Sequence, residues 1–144
     1  MLITAEADLG EVRATMEFEN QFEAENARLG LWNPDQVHRA SVEVVADTGS
    51  TMLVLPRSIV AQLGLRTLRE VVGTYSDGRS FVLPVAGTVT VRYLDRRADV
   101  SCVVAEDGTT PLLGQIPLEE MDLLVDCKAQ RLVGRDARGP GVRI

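Results

Sequence analysis

The chain has 144 residues, of which 45% are hydrophobic and 25% charged, a composition typical of a soluble globular protein rather than a disordered one. This length predicts one domain with one core. The net charge of −6 repels phosphate backbones, so we expect no nucleic-acid partner. Every apolar run is far shorter than the roughly 20 residues of a membrane helix, which predicts no membrane partner.

The N-terminus lacks a basic start followed by an apolar core, so no secretory signal is visible and we expect a cytoplasmic protein. Cys102 and Cys127 are too few for a disulfide framework, and we expect both to be small buried residues. The single histidine, His38, is expected to be a partly packed residue at the start of a strand. We therefore expect no metal and no cofactor, and any catalysis must come from carboxylates.

The first half of the chain alternates between strand patterns and turns. Residues 12–18 alternate apolar and charged side chains, which predicts a half-buried strand. Residues 20–35 form an irregular excursion with a short helical turn at 22–29, after which 36–46 resume the alternation. Ser58 is expected to cap a helix that ends at Gly64.

The second half contains two predicted hairpins. Asp77-Gly78 between apolar segments predicts a projecting type I′ hairpin, and residues 95–97 join a second pair of strands. Further elements are a strand at 112–113, a helix beginning at 117, short strands at 123–126 and 131–133, and a mobile tail at 134–144. Strands outnumber helices, so the predicted class is mainly β.

The most informative segment is a polar turn between two β runs, Asp47-Thr48-Gly49-Ser50. The apolar flanks predict that much of the Asp47 carboxylate is buried. Gly49 permits close approach of the backbone, and the hydroxyls of Thr48 and Ser50 can orient the acid. Alone, this tetrapeptide is equally compatible with a simple turn cap.

Together with its surroundings, this segment resembles the retroviral-type (retropepsin-like) aspartic proteases, including their bacterial single-domain relatives. The resemblance covers about residues 36–133 and is carried, in order, by Asp47 to Ser50, a hairpin at 72–79, a two-stranded hairpin at 87–105, and Leu112-Leu113-Gly114 followed by a helix at 116–121. It implies one domain over 1–144, with a protease core at 36–133 after an N-terminal strand and excursion at 1–35. The implied fold is a mainly β, retropepsin-like closed acid-protease barrel with one or two short helices, forming half of a two-fold dimer.

The resemblance also implies an aspartic endopeptidase that acts as a homodimer on a peptide or protein substrate. One Asp-Thr-Gly element per chain supplies half of a carboxylate dyad, so two copies of Asp47 would complete the site. The implied site residues are the catalytic Asp47; the supporting loop residues Thr48, Gly49 and Ser50; the flap residues Thr74, Tyr75, Ser76, Asp77 and Gly78; and the loop-bracing residues Leu112, Leu113 and Gly114.

Some features depart from the pattern and leave alternatives open. Ala46 replaces a bulkier aliphatic residue, the excursion at 20–35 is longer than usual, and the flap lacks a glycine-rich tip. Tyr75 could equally be a hairpin aromatic without a substrate role. One alternative is a catalytically silent protease-like module for dimerisation or peptide binding. Another treats Asp47 as a phosphoryl acceptor, which the lack of a glycine-rich phosphate loop disfavours.

Overall fold

The computed structural model describes residues 11–75 and 77–136. Within these ranges the strands are β1 (Val12–Asn20), β2 (Arg39–Ala46), β3 (Leu53–Pro56), β4 (Arg66–Thr74), β5 (Ser80–Tyr93), β6 (Arg96–Ala105), β7 (Leu112–Leu113), β8 (Leu123–Asp126) and β9 (Arg131–Gly134). The helices are α1 (Gln21–Arg28), α2 (Arg57–Gln62) and α3 (Gln115–Glu120), with a 3₁₀ turn at Pro34–Gln36. Every helix in the described ranges is too short or too polar to span a bilayer. The predicted mainly β class is confirmed.

Seven strands form one sheet in the order β1-β2-β7-β3-β6-β5-β4, and β8 and β9 form a separate pair. An additional antiparallel pairing of β1 with β5 connects the sheet back to its first strand. The pairing therefore runs in a ring, and β4 lies outside it, beside β5. Alternate side chains of each strand point to the same side, and together with residues of α2 and α3 and their C-terminal ends they form the core. Its largest fully buried side chains are Phe18, Met16, Leu53, Leu55, Leu63, Leu113, Leu118 and Met121.

The excursion after β1 is fixed by buried polar contacts. The Asn20 side chain accepts a hydrogen bond from the N–H of Glu23, which caps α1, and donates to the carbonyls of Leu63 and Gly64. His38 is half-exposed, as predicted, and its Nδ1 lies 2.8 Å from the buried Glu23 carboxylate. The histidine therefore connects the excursion to the start of β2.

The predicted cap of the second helix is wrong. Helix α2 begins at Arg57 with Pro56 at the capping position, and the Ser58 side chain does not cap it. The Ser58 N–H instead donates to the Asp107 carboxylate at 2.8 Å, so a residue from the β6–β7 loop satisfies the helix terminus. Gly64 does end the helix, with a φ of +62° that suits glycine.

The tip of the β4–β5 hairpin differs from the predicted type I′ turn, which requires positive φ at both central residues. Gly78 has a φ of +89°, and the bonded residues Tyr75 and Arg79 have three positions between them, whereas a type I′ hairpin turn has two. The N–H of Gly78 donates to the Tyr75 carbonyl at 2.9 Å, and the N–H of Tyr75 donates to the Arg79 carbonyl at 2.8 Å. The Asp77 carboxylate accepts from the Arg79 N–H, which favours this wider turn.

The second hairpin turns more tightly than expected, because β6 begins at Arg96 and only Leu94 and Asp95 lie between the strands. Arg96 is not a loop residue but is buried, with 5% of its surface exposed. Its guanidinium donates to the carbonyls of Met121, Asp122 and Asp136. It thus ties the β5–β6 turn to the segment that carries β8 and β9.

The two cysteines have different environments. Cys102 is fully buried, as predicted, and burial raises the pKa of its thiol to about 12. Cys127 is exposed, which corrects the expectation that both are buried. It lies in the turn between β8 and β9, where no core reaches it. At the C-terminus, Gly134 still belongs to β9, and residues 137–144 of the predicted tail lie outside the described part.

Candidate active site

The segment that carries Asp47 connects the end of β2 to the start of β3. The backbone of β2 pairs in parallel with β7, with Ala46 opposite Leu113. The N–H of Asp47 continues this ladder and donates to the Leu113 carbonyl at 2.9 Å. β3 pairs with β7 from the other side, with Val54 opposite Leu112. The two-residue strand β7 therefore lies between the strands that enter and leave the Asp47 loop.

Hydrogen bonds between nearby residues stabilise the Asp47 loop. The N–H of Gly49 donates to Oδ1 of Asp47 at 2.9 Å, and the N–H of Ser50 donates to the Asp47 carbonyl at 3.1 Å. The Ser50 hydroxyl donates to the Met52 carbonyl at 3.0 Å. The carboxylate is thus oriented through one oxygen, and within the described ranges no protein donor bonds to Oδ2. That second oxygen is available to a water molecule or to another carboxyl group.

The loop is less buried than the flanking sequence predicts. Asp47 and Ser50 are half-buried, whereas Thr48 and Gly49 are exposed. The strands bury Ala46 and Leu53, but the loop between them turns outward at their ends. In a single chain, the Asp47 carboxylate is therefore only partly removed from water, less than predicted.

The predicted bracing residues do lie behind the loop. The N–H of Gln115 donates to the Ser50 carbonyl at 2.7 Å, and the N–H of Ile116 donates to the Thr51 carbonyl at 2.9 Å. A Cβ atom at Gly114 would lie 2.3 Å from the Met52 carbonyl oxygen and 2.6 Å from that of Ser50. Only glycine allows the loop and the start of α3 to approach this closely.

The residues predicted for the flap lie at the tip of the β4–β5 hairpin. Their hydrogen bonds remain within the hairpin, and the Tyr75 ring packs on Phe81 with centroids 4.4 Å apart. The Arg79 guanidinium lies over the Tyr75 ring, 5.2 Å from the ring centroid. Thr74 ends β4, Asp77 and Gly78 form the turn, and Ser76 lies outside the described residues. Tyr75 is half-exposed, so it is available for further contacts.

Two structural contacts outside the Asp47 loop were not predicted from the sequence. Asp107 caps α2, and the hydrogen bonds from the backbone and side chain of Ser58 lower the pKa of its carboxyl group. Arg96 holds the segment after α3, as described above. In residues 11–75 and 77–136, no three His, Cys, Asp or Glu side chains lie close enough together to hold a metal ion.

A comparison with known protein families shows which family this chain belongs to. The family described as aspartyl protease matches residues 36–116, which is more than half of the chain and includes the Asp47 loop, the hairpin and β7. The chain belongs to the aspartyl protease family. The affiliation inferred from the Asp-Thr-Gly-Ser and Leu-Leu-Gly elements is therefore confirmed.

Solved structures similar to this aspartyl protease family member include EIAV protease complexed with the inhibitor HBY-793. That comparison has 23% identity and a TM-score of 0.43, and covers 55% of this chain and 75% of the viral chain. A retropepsin-like aspartic protease from Rickettsia conorii has 16% identity and a TM-score of 0.44, over 81% of this chain and 89% of that chain. Among curated protein sequences, none matches this chain.

Proposed function

We propose that this protein is an aspartic endopeptidase whose active site is completed by two copies of Asp47 in a homodimer. The observation that carries the proposal is the geometry of the Asp47 loop. One carboxylate oxygen is fixed by the N–H of Gly49, while the adjoining Thr48 and Gly49 remain exposed. An ordered acid at the surface of a family member with one such loop supports a site assembled between chains.

Two carboxyl groups about 3 Å apart cannot both ionise, so the pair holds one proton. The ionised Asp47 accepts a proton from a water molecule, whose oxygen forms a bond to the scissile carbonyl carbon. The protonated Asp47 of the second chain donates to the carbonyl oxygen. The tetrahedral intermediate then collapses, the C–N bond breaks, and the amine leaves with a proton from the dyad.

The neighbouring residues have supporting roles in this proposal. Thr48 is exposed and would hydrogen-bond across the two-fold axis to its counterpart. Gly49 orients the carboxylate, and Ser50 stabilises the loop through its bond to the Met52 carbonyl. The bracing segment fixes the loop from behind; its residues are Leu112, Leu113 and Gly114.

The β4–β5 hairpin would act as the flap over an extended peptide. Its apolar side chains Val72, Tyr75 and Val82 are 70%, 50% and 56% exposed, which is unfavourable for a hairpin without a partner. Substrate and the second protomer would cover this surface. Thr74, Asp77 and Gly78 would form the tip that contacts the peptide.

The direct test is a cleavage assay on a denatured protein substrate at mildly acid and neutral pH. Asp47→Asn keeps an oxygen that can accept from the Gly49 N–H, so we expect a folded protein with at least a thousandfold lower activity, on the order of the loss of an acid–base group. Asp35→Asn is the control, because Asp35 is exposed and belongs to the distant 3₁₀ turn. Cleavage by Asp47→Asn equal to that by the parent would contradict the role of Asp47, and lack of cleavage by the parent would leave only a silent dimerisation or peptide-binding module.

A further inference from the structure

A groove of about 530 Å³ lies beside the Asp47 loop, between α3, β6 and β4. Its apolar surface comes from Met52, Val100 and Ile116, and Ile116 is 47% exposed. Charged side chains surround this surface: Asp99, Glu119 and Glu120 on the β6–α3 side and Arg69 on β4. The volume lies within the range of about 300–1,000 Å³ found for small-ligand pockets, so one long side chain can enter it.

The groove adjoins the end of the active-site loop, because Met52 follows that loop and lines the groove. The Met52 carbonyl accepts from the Ser50 hydroxyl, and the N–H of Ile116 donates to the Thr51 carbonyl. The end of the active-site loop is therefore bonded to two residues that line the groove. A peptide bound over Asp47 in extended form advances about 3.3 Å per residue, so a side chain a few positions from the scissile bond can reach the groove.

The carboxylates that line the groove differ in whether a cationic side chain neutralises their charge. Asp99 accepts from Arg97 at 3.1 Å and from Thr90 at 2.6 Å. Burial would raise the pKa of Asp99, but these hydrogen bonds outweigh that effect and lower it. Its charge is therefore already neutralised by Arg97.

Glu119 and Glu120 have only neutral donors. Glu119 accepts from the Gln115 amide at 2.8 Å, and Glu120 accepts from the backbone N–H of Asp99 at 3.1 Å. Within the part of the chain that the structure describes, neither has a cationic partner within 4.0 Å, and Arg69 has no ion pair either. Two uncompensated carboxylates and one uncompensated guanidinium thus line the groove, and its α3 side attracts cations.

We propose that this groove binds a lysine or arginine side chain of the substrate, with the aliphatic stem on Met52 and Ile116 and the cationic head at Glu119 and Glu120. This inference rests on the proposed function, because it concerns which peptides the protease cleaves. Long basic side chains suit the groove, since their methylene groups cover apolar surface while their heads remain near water. A glutamate substrate side chain would instead be repelled by the same two carboxylates.

The test is cleavage of a randomised peptide mixture, with the products sequenced to give residue frequencies at each position relative to the scissile bond. The parent is expected to enrich Lys and Arg at one position a few residues from the cleaved bond. In Glu119→Gln/Glu120→Gln, kcat/KM for a peptide with Arg at that position should fall by about three- to tenfold, as expected for partly exposed ion pairs. The matched peptide with norleucine there should be unaffected.

Matched variants distinguish an effect of the groove from an effect of the net charge of the protein. Asp35→Asn/Glu106→Gln removes the same number of charges at two exposed positions outside the groove and should leave the enrichment unchanged. Arg69→Gln removes the uncompensated cation and should increase the enrichment of Lys and Arg. This variant provides a second test if the double variant does not fold. Cleavage by the parent without basic enrichment, or enrichment that persists in the double variant, would overturn the inference. Failure of the parent to cleave any peptide would contradict the proposed function itself.

Discussion

The N–H of Asp47 donates to the carbonyl of Leu113 at 2.9 Å, so the acid is positioned by a strand that lies 66 residues further along the chain. The next residue after Leu113 is Gly114, against which the carbonyls of Ser50 and Met52 pack. Leu113 is fully buried, so this contact is anchored in the core. The position of the carboxylate is therefore determined by core packing as well as by its own turn.

Gly114→Ala should impair both stability and activity. The added Cβ would lie 2.3 Å from the Met52 carbonyl oxygen, so the loop or α3 must shift. We expect a loss of about 1–3 kcal/mol in the free energy of unfolding, as for other overpacked sites. A displacement of about 1 Å in the Asp47 loop would lower kcat/KM by about a hundredfold. Urea unfolding and peptide cleavage measure the two effects.

Gly108→Ala is the control for this variant. Gly108 has a φ of +93° but no atoms near its Cβ position, so alanine there strains the backbone without displacing the Asp47 loop. It should lose stability and keep its activity. Full activity in Gly114→Ala would show that the close approach behind the loop does not position the acid.

Arg96→Met should weaken the attachment of the β8–β9 hairpin. The buried guanidinium donates to the carbonyls of Met121 and Asp122, which would lose these partners. We expect a loss of about 3 kcal/mol in the free energy of unfolding, measured by urea denaturation. Arg97→Met is the matched control, since that side chain is 47% exposed and its ion pair is worth at most about 1 kcal/mol. Equal losses in both variants would contradict this role of Arg96.

The cap of α2 by Asp107 should make stability depend on pH. Hydrogen bonds from Ser58 lower the pKa of this carboxyl in the folded state, so its ionised form favours folding. This contribution is complete above the unfolded pKa of about 3.9 and is lost as the pH falls through the folded-state pKa. Asp107→Asn should therefore melt at a lower temperature than the parent at pH 6, and the difference should shrink towards pH 3. A difference independent of pH would contradict the electrostatic origin of the effect.

The two thiols should differ in reactivity with iodoacetamide. Cys127 is exposed, whereas Cys102 is buried and the pKa of its thiol is raised to about 12, so little thiolate forms. Mass spectrometry of the native protein should find alkylation at Cys127 alone. Cys102 should react only after denaturation. Equally rapid alkylation of both thiols in the native state would show that the core around Cys102 opens readily.

Local patterns predicted those parts of the fold that depend on local physics. Alternation in residues 12–18 and 36–46 identified most of β1 and all of β2, because each strand buries one face. The resemblance to the retropepsin-like proteases, rather than local physics, related Asp-Thr-Gly-Ser to Leu-Leu-Gly, and the structure brings the two together through Asp47 and Leu113. The family match, over residues 36–116, includes both elements.

Contacts between distant parts of the chain could not be predicted in this way. Asp107 caps a helix 49 residues before it, and Arg96 reaches carbonyls 25 and 26 residues after it. Neither residue type carries a local signal for these roles, since a charged residue in a turn is usually solvated. The predicted type I′ turn was wrong for a different, local reason, because the Asp77 side chain bonds to Arg79 and favours another turn geometry.

Mixing parent and Asp47→Asn chains tests the shared dyad most directly. If each active site needs Asp47 from both chains, activity at constant total chain concentration follows the square of the parent fraction after the chains exchange. An equal mixture should then retain about one quarter of the parent activity, because half of the dimers are mixed and inactive. A linear dependence, with about one half of the activity retained, would mean that each chain works with its own single carboxylate and would contradict the shared dyad.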